Sequence, residues 1–363
     1  MEGAVTSAFD RATGAVRPLD SAAVADAVVH QDRLTKPKGA LGRLETLGIH
    51  LAGIAGVCPA PLPWPATVAV FAGDHGVVAE GVTPWPREVT AQMVANIATG
   101  GAAINALARQ AGASVVVVDV GVATPLPAGI SGAPGLIRRV VRPGTGNIAV
   151  EPAMTVGECR VALDIGADVA AEAVAGGARA VVTGEMGIGN TTPAAAVIAA
   201  LSARPPGAVT GRGTGVDTGM LARKVAVVER ALERHAGAIA EGPLATLAAV
   251  GGLEVAALVG FIVGGAAAGV PVVVDGVIAD AALLAAERLV PGVARRCIAG
   301  HRSVEPGASA VLEILGMEPL LDLGMRLGEG TGGCLALPVI QAAARIMIEM
   351  ATFDAAGVTN KDG

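Results

Sequence analysis

Ala180-Val181-Val182-Thr183-Gly184-Glu185-Met186-Gly187-Ile188-Gly189-Asn190-Thr191-Thr192-Pro193 is the stretch on which the fold turns. Its first four residues form an unbroken apolar and β-branched run, which suits a strand buried on both faces, because a half-exposed strand alternates apolar with polar. The glycines that follow make a tight loop, and the Ala-rich segment from Pro193 reads as a helix. Strand, glycine loop and helix in that order form the repeating unit of a parallel α/β sheet.

The same unit recurs on either side. Residues 67–71 lead, after Ala72, into Gly73-Asp74-His75-Gly76; residues 115–118 lead into Asp119-Val120-Gly121; residues 272–274 lead into Asp275-Gly276. A helix over 87–99 carries Val89, Met93, Val94 and Ile97 on one face. The expected fold is therefore a three-layer α/β/α sandwich with a mainly parallel, Rossmann-like sheet, plus a smaller helical domain. Residues 20–57 read as helical, with Asp20 as N-cap and a break at Lys36-Pro37-Lys38-Gly39; residues 58–64, with three prolines, read as a stiff linker. The expected division is a helical small domain over 1–60, joined by a C-terminal helix at 335–363, and a large α/β catalytic domain over 61–334.

Composition narrows the function. Of 363 residues, 52% are hydrophobic and 16% charged, too apolar for a disordered chain. Only 2% are aromatic and the net charge is -6, which argues against base stacking and against a phosphate-backbone footprint, so nucleic acid is not an expected partner. Cys58, Cys159, Cys297 and Cys334 lie far apart and read as reduced thiols, most of them buried. Residues 255–274 contain no charge and have the length of a membrane span. Five glycines or prolines interrupt them and no basic or aromatic girdle flanks them. They read instead as a buried helix to about Gly269 followed by a strand, in a cytoplasmic protein without a signal peptide.

Ligands of open α/β sheets bind outside the carboxyl ends of the strands, where these loops gather. Gly184–Asn190 precedes a helix, where free N–H groups favour a phosphate, although a plain strand-to-helix turn has the same composition. It lacks the ending of a P-loop and the glycine spacing of a dinucleotide fingerprint. Gly211-Arg212-Gly213-Thr214-Gly215 is a second glycine loop, with Lys224 on the next helix placed to reach an anion; a solvated surface turn is the alternative. In Leu327-Gly328-Glu329-Gly330-Thr331-Gly332-Gly333 one carboxylate sits among small residues. Partial burial there would raise its pKa and suit a general base, whereas an acidic residue before a helix is the plainer reading. Gly300-His301-Arg302-Ser303-Val304-Glu305-Pro306-Gly307 adds a hydroxyl and three ionisable groups. The five histidines show no metal-type spacing, so no metal is expected, and His75 and His301 read as hydrogen-bonded loop residues. These loops point to a phosphate-bearing small molecule acted on by a carboxylate.

In order along the chain, Lys36–Glu45, Ala72–Val77, Val89–Val94, Arg142-Pro143-Gly144-Thr145, the 184–192 and 211–215 loops, Val273–Gly276, the 300–307 loop and Arg326–Gly332 resemble the nicotinate-nucleotide:5,6-dimethylbenzimidazole phosphoribosyltransferases. The resemblance implies transfer of the phosphoribosyl group of nicotinate mononucleotide to the benzimidazole, giving α-ribazole 5′-phosphate for the cobalamin lower ligand. It implies Glu329 as general base and Glu185 beside the base and ribose. Gly187, Gly213, Lys224 and Ser303 would hold the phosphate, and Asp275 the nucleotide. Gln92 and Met186 would line the base pocket. The segment Val82-Thr83-Pro84-Trp85-Pro86 does not follow the family pattern, and Trp85 reads either as an added aromatic contact or as a surface-turn residue. The accepted base is thereby open between dimethylbenzimidazole, adenine and another benzimidazole, and a non-catalytic nucleotide-binding protein is the alternative from another class. No cofactor is implied, and a homodimer with sites near the interface is.

Overall fold

The computed structural model describes residues 6–359, so the outermost parts of the expected domains, 1–5 and 360–363, lie outside the described residues. Six parallel strands form one sheet: β1 Ala66–Gly73, β2 Ala113–Gly121, β3 Leu136–Arg138, β4 Ala180–Met186, β5 Val272–Val274 and β6 Cys297–Ala299. Their order is β3-β2-β1-β4-β5-β6. The chain winds outward from β1 in one direction and, from β4, in the other, so the topological switch point falls between β1 and β4. The connections diverge there and leave a crevice beyond Gly73 and Met186.

Alternate strand residues face opposite ways, and both ways are apolar. Ala69, Phe71, Val118, Val181 and Val272 pack into a core with the helices Val156–Ala175, Thr191–Ser202, Leu253–Ala267 and Val277–Leu289. Val68, Val70, Val117, Val182 and Val273 pack into a second core with the helices Arg43–Ala55, Glu88–Ala98, Ala103–Ala111 and Thr331–Glu349. Two buried faces are the reason the strand sequences do not alternate. The three-layer α/β/α expectation holds.

At the amino end, Asp20 caps the helix Ser21–Arg33 by accepting from the Ala23 N–H at 2.8 Å, as its sequence position suggests. Ala27, Leu34, Ala52 and Met347 form a small core that joins this helix to Arg43–Ala55 and Thr331–Glu349. The uncharged 255–274 window resolves into the buried helix Leu253–Ala267 and β5. That helix lies so close to Val156–Ala175 that a Cβ on Gly166 would overlap the Ala257 carbonyl oxygen, and one on Gly260 that of Leu163. Among the described residues, Thr331–Glu349 alone has the length and hydropathy of a membrane span, and its Cys334, Leu337, Ile340 and Ala344 are packed in the core beneath the sheet.

Candidate active site

The strand ends set the site. Gly184, Glu185 and Met186, read from the sequence as loop, belong to β4, because their pairing with Val70, Phe71 and Ala72 of β1 continues through them. Beyond them a cavity of about 800 Å³, counted with its open mouth, is lined by Trp85, Glu185, Met186, Gly187, Gly213, Lys224 and Ser303, all expected from the sequence, together with Arg212, His301, Glu305, Arg326 and Gly328. Four loops that are distant in sequence are thus brought to one crevice at the switch point.

One end of the cavity is acidic. The segment Gly328-Glu329-Gly330 lies across β4: the Glu329 N–H donates to the Glu185 carbonyl at 3.2 Å, and a Cβ on Gly330 would come within 2.9 Å of the Thr183 carbonyl oxygen. All three residues have positive φ, +84°, +61° and +85°; for Glu329 that is a strained conformation. Its side chain does not line the cavity. Oε2 instead accepts from the Ile104 N–H at 3.3 Å, in the first turn of Ala103–Ala111. The carboxylate thus sits at a helix N-terminus, but of a different helix from the one expected. Burial pushes its pKa up, the Ile104 N–H pulls it down, and the charge of Asp275 adds to the rise.

The Glu185 carboxyl is buried, accepts from the Asn190 side-chain amide and rests against Gly328. Burial, then the charge of Asp275, pushes its pKa up to about 8; the Asn190 amide opposes this, while Glu254 and Glu329 add to it. Asp275, after β5, lies behind the cavity wall, where Oδ1 accepts from the Gly333 N–H at 2.9 Å and stands 3.4 Å from His301 Nε2. A carboxyl that titrates higher in the folded protein than in the unfolded chain takes up a proton on folding, so its contribution is complete below about pH 4.3 and is lost as pH rises towards 8. Thermal melts of Glu185→Gln against the parent protein should therefore diverge between pH 5 and pH 8, the variant gaining relative stability as pH rises. Parallel melting curves would contradict the burial of a proton at this position.

The other end is basic. Lys224, on the helix Thr218–Arg234, is 1% exposed and donates to Thr191 Oγ1 at 2.8 Å and to the Gly211 carbonyl at 3.0 Å. Burial lowers its pKa to about 8, against the pull of the Glu305 carboxylate. Glu305 in turn accepts from the Gly213 N–H at 2.8 Å, which fixes the 211–215 loop. Arg212 is tied to the Val216 carbonyl and Thr218, while Arg326 is exposed at the cavity wall. Trp85 is half exposed, and its Nε1 donates to Thr214 Oγ1 at 3.2 Å, so the indole belongs to this glycine loop.

Gln92 is exposed on Glu88–Ala98 and does not line the cavity; from the same helix, Thr90 accepts from the Ile188 N–H at 3.1 Å and steadies the 187–190 turn. His75 and His301 differ from the expectation of hydrogen-bonded loop residues. Both are buried against carboxylates, His75 at 2.9 Å from Glu254 and His301 at 3.4 Å from Asp275. Glu254 was missed as a site group. Its signal was present: it is the one ionisable residue heading a long uncharged run, after Gly251-Gly252.

The phosphoribosyltransferase family profile matches residues 16–358. A curated nicotinate-nucleotide–dimethylbenzimidazole phosphoribosyltransferase from Salinispora tropica is 57% identical over 97% of this chain and 100% of its own length. The chain belongs to that phosphoribosyltransferase family. A relative of the same name from Chloroflexus aurantiacus is 53% identical over 95% of this chain and 97% of its own. The crystal structure of CobT from Thermus thermophilus superposes with a TM-score of 0.89 at 50% identity, covering 93% of this chain and 99% of that one. Of the segments quoted for the resemblance, those over 184–192, 211–215, 273–276, 300–307 and 326–332 contribute residues to the crevice, whereas 36–45, 72–77, 89–94 and 142–145 do not line it.

Proposed function

We infer that this phosphoribosyltransferase moves the phosphoribosyl group of nicotinate mononucleotide to 5,6-dimethylbenzimidazole, producing α-ribazole 5′-phosphate and nicotinate for cobalamin lower-ligand synthesis. The observation that carries the reading is the distribution of charge in the cavity: Lys224, Arg212 and Arg326 outnumber the Glu305 carboxylate among them at one end, and Glu185, with Glu329 and Asp275 behind it, stands at the other. Nicotinate mononucleotide has the matching polarity, with an anionic phosphate at one end and a cationic pyridinium at C1′.

In the proposed reaction one benzimidazole nitrogen attacks C1′ as the C1′–N bond to nicotinate breaks. The bonding pair returns to the pyridine nitrogen, which leaves neutral. The second benzimidazole nitrogen loses its proton to Glu329, whose side chain has to turn from the Ile104 N–H past Gly328 to reach the cavity. Cationic character at C1′ is stabilised by the ionised Glu185, so kcat/KM for the nucleotide should rise with pH towards about 8. Gly187, Gly213, Lys224 and Ser303 take the phosphate, with Asp275 bracing the nucleotide side of the helix Thr331–Glu349 through Gly333. Met186 is the wall for the flat base, and Gln92, exposed on the adjoining helix outside the cavity, would have to turn in to reach it. Trp85, tethered to Thr214, is placed by its hydrogen bond nearer the phosphate loop than the carboxylates. The same reading makes the protein a cytoplasmic homodimer, which sedimentation at micromolar concentration checks.

The decisive experiment is a product assay with dimethylbenzimidazole, unsubstituted benzimidazole and adenine in competition. Formation of α-ribazole 5′-phosphate as the main product supports the reading; absence of any ribotide sinks it. Lys224→Ala is expected to raise KM for nicotinate mononucleotide about tenfold or more, as loss of a charge-assisted contact does. An unchanged KM would remove Lys224 from the phosphate site.

A further inference from the structure

The loop Gly73-Asp74-His75-Gly76 stands at the carboxyl end of β1, beside the switch point, yet none of its side chains lines the cavity. What it presents is a buried pair. His75 is 1% exposed and Glu254 0%, with Nε2 and Oε1 2.9 Å apart. None of the pair's four polar atoms, the two in contact included, makes a hydrogen bond of normal geometry among the described residues. Two ionisable groups removed from water in this way are costly to the fold, so the pair is poor as a purely stabilising device.

Its surroundings show what it touches. A Cβ on Gly187 would fall 3.2 Å from His75 Nε2, and one on Gly252 would fall 2.6 Å from His75 Cε1 and 2.5 Å from Glu254 Oε2. A Cβ on Gly73 would come within 3.2 Å of Glu254 Oε2. The imidazole is therefore clamped between the exit of β4 and the start of Leu253–Ala267, and only glycines let these backbones close on it. Gly187 is the residue at which the chain leaves β4, directly after Glu185 and Met186.

We propose that His75 and Glu254 are positioning residues for the Glu185 loop: the ring fixes the height at which Gly187 leaves β4, and the charge of Glu254 adds to the field at the Glu185 carboxyl. The proposal rests on Glu185 being a group of the reaction. The ionisable groups that bear on Glu185 are Asp275 after β5, Glu329 in the loop across β4, and Glu254 at the helix start, with His75 facing Glu254. None of these three lines the cavity; Asp275 and Glu329 have roles in the reading above, and the His75–Glu254 pair has none there.

The test is kcat/KM for nicotinate mononucleotide against pH in the parent protein and in Glu254→Gln, Glu254→Asp, His75→Gln and Glu185→Gln, each with a thermal melt. Removing the Glu254 charge should move the acid limb down by about one pH unit, because a like charge near a carboxylate disfavours its ionised form. Glu254→Asp, which keeps the charge, should leave the limb in place. His75→Gln, which removes the ring against which Gly187 rests, should lower kcat several-fold in a protein that still folds. A limb that follows the charge of Glu254 and not its size is not produced by mere loss of packing. A folded Glu254→Gln protein with an unmoved limb overturns the proposal, and if that variant fails to fold, an unchanged kcat in His75→Gln does so. Full turnover in Glu185→Gln removes the group being positioned and overturns the parent reading as well, whereas a dead Glu185→Gln with an unmoved limb in Glu254→Gln overturns the positioning role alone.

Discussion

Glu329→Gln is expected to leave a folded protein that binds nicotinate mononucleotide and turns it over about 100- to 10,000-fold more slowly with dimethylbenzimidazole, the usual range for loss of a general base. The amide keeps an oxygen for the Ile104 N–H, so the resting position of the side chain survives, while the ability to take a proton does not. The backbone supports the same role. Glu329 holds φ +61° between two glycines that adopt positive φ freely, and a strained non-glycine residue there persists only because the loop is pinned to β4. Single-turnover assays and equilibrium binding of the nucleotide separate the two effects. Turnover within a few fold of the parent would transfer the base role elsewhere. Since burial raises the Glu329 carboxyl above its ordinary range, the parent activity should decline as pH falls through that raised value and protonates the base.

Gly166→Ala is expected to destabilise the protein by about 3 kcal/mol, the upper part of the range for overpacking a close-packed core. The helix Val156–Ala175 and the helix Leu253–Ala267 meet backbone to backbone, each offering a glycine to the other's carbonyl: Gly166 to Ala257 and Gly260 to Leu163. A carbonyl oxygen in a helix cannot swing aside as a side chain can, so the added methyl must push the helices apart. That separation would strip contacts from Leu163, Leu258 and Phe261, and Phe261 stacks edge-on against Phe71 of β1 at 5.4 Å between ring centres. Urea titration of the variant measures the loss directly. A shift in midpoint too small to measure would show that this seam is looser than described.

Much of this architecture was legible in the amino-acid sequence because the central strands are the apolar ones. β5 matches its expected bounds, and β1, β2 and β4 were found but drawn short. β4 was cut at Gly184 because glycine reads as a break, whereas the pairing Val70 with Gly184 and Phe71 with Glu185 carries the strand on. β3 and β6 escaped notice for a physical reason: they are the two edges of the sheet, three residues each, and short edge strands need no long apolar run. The site was legible as far as loops that share the strand ends. Seven expected residues line the cavity, while Glu329 and Asp275 stand behind its wall and Gln92 outside it. The His75–Glu254 contact was beyond reach, since it joins β1 to a helix far along the chain and no local spacing encodes it.

The tether between Trp85 and Thr214 also has an optical consequence. With no Tyr and only two Trp in 363 residues, almost all near-ultraviolet emission of this protein arises from Trp64 and Trp85. Trp64 is packed beside Gly112 and does not line the cavity, whereas Trp85 does. A Trp64→Phe protein would therefore carry a single tryptophan in the cavity wall, hydrogen-bonded to the glycine loop proposed to hold the phosphate. Ligand entry becomes readable in real time without a dye.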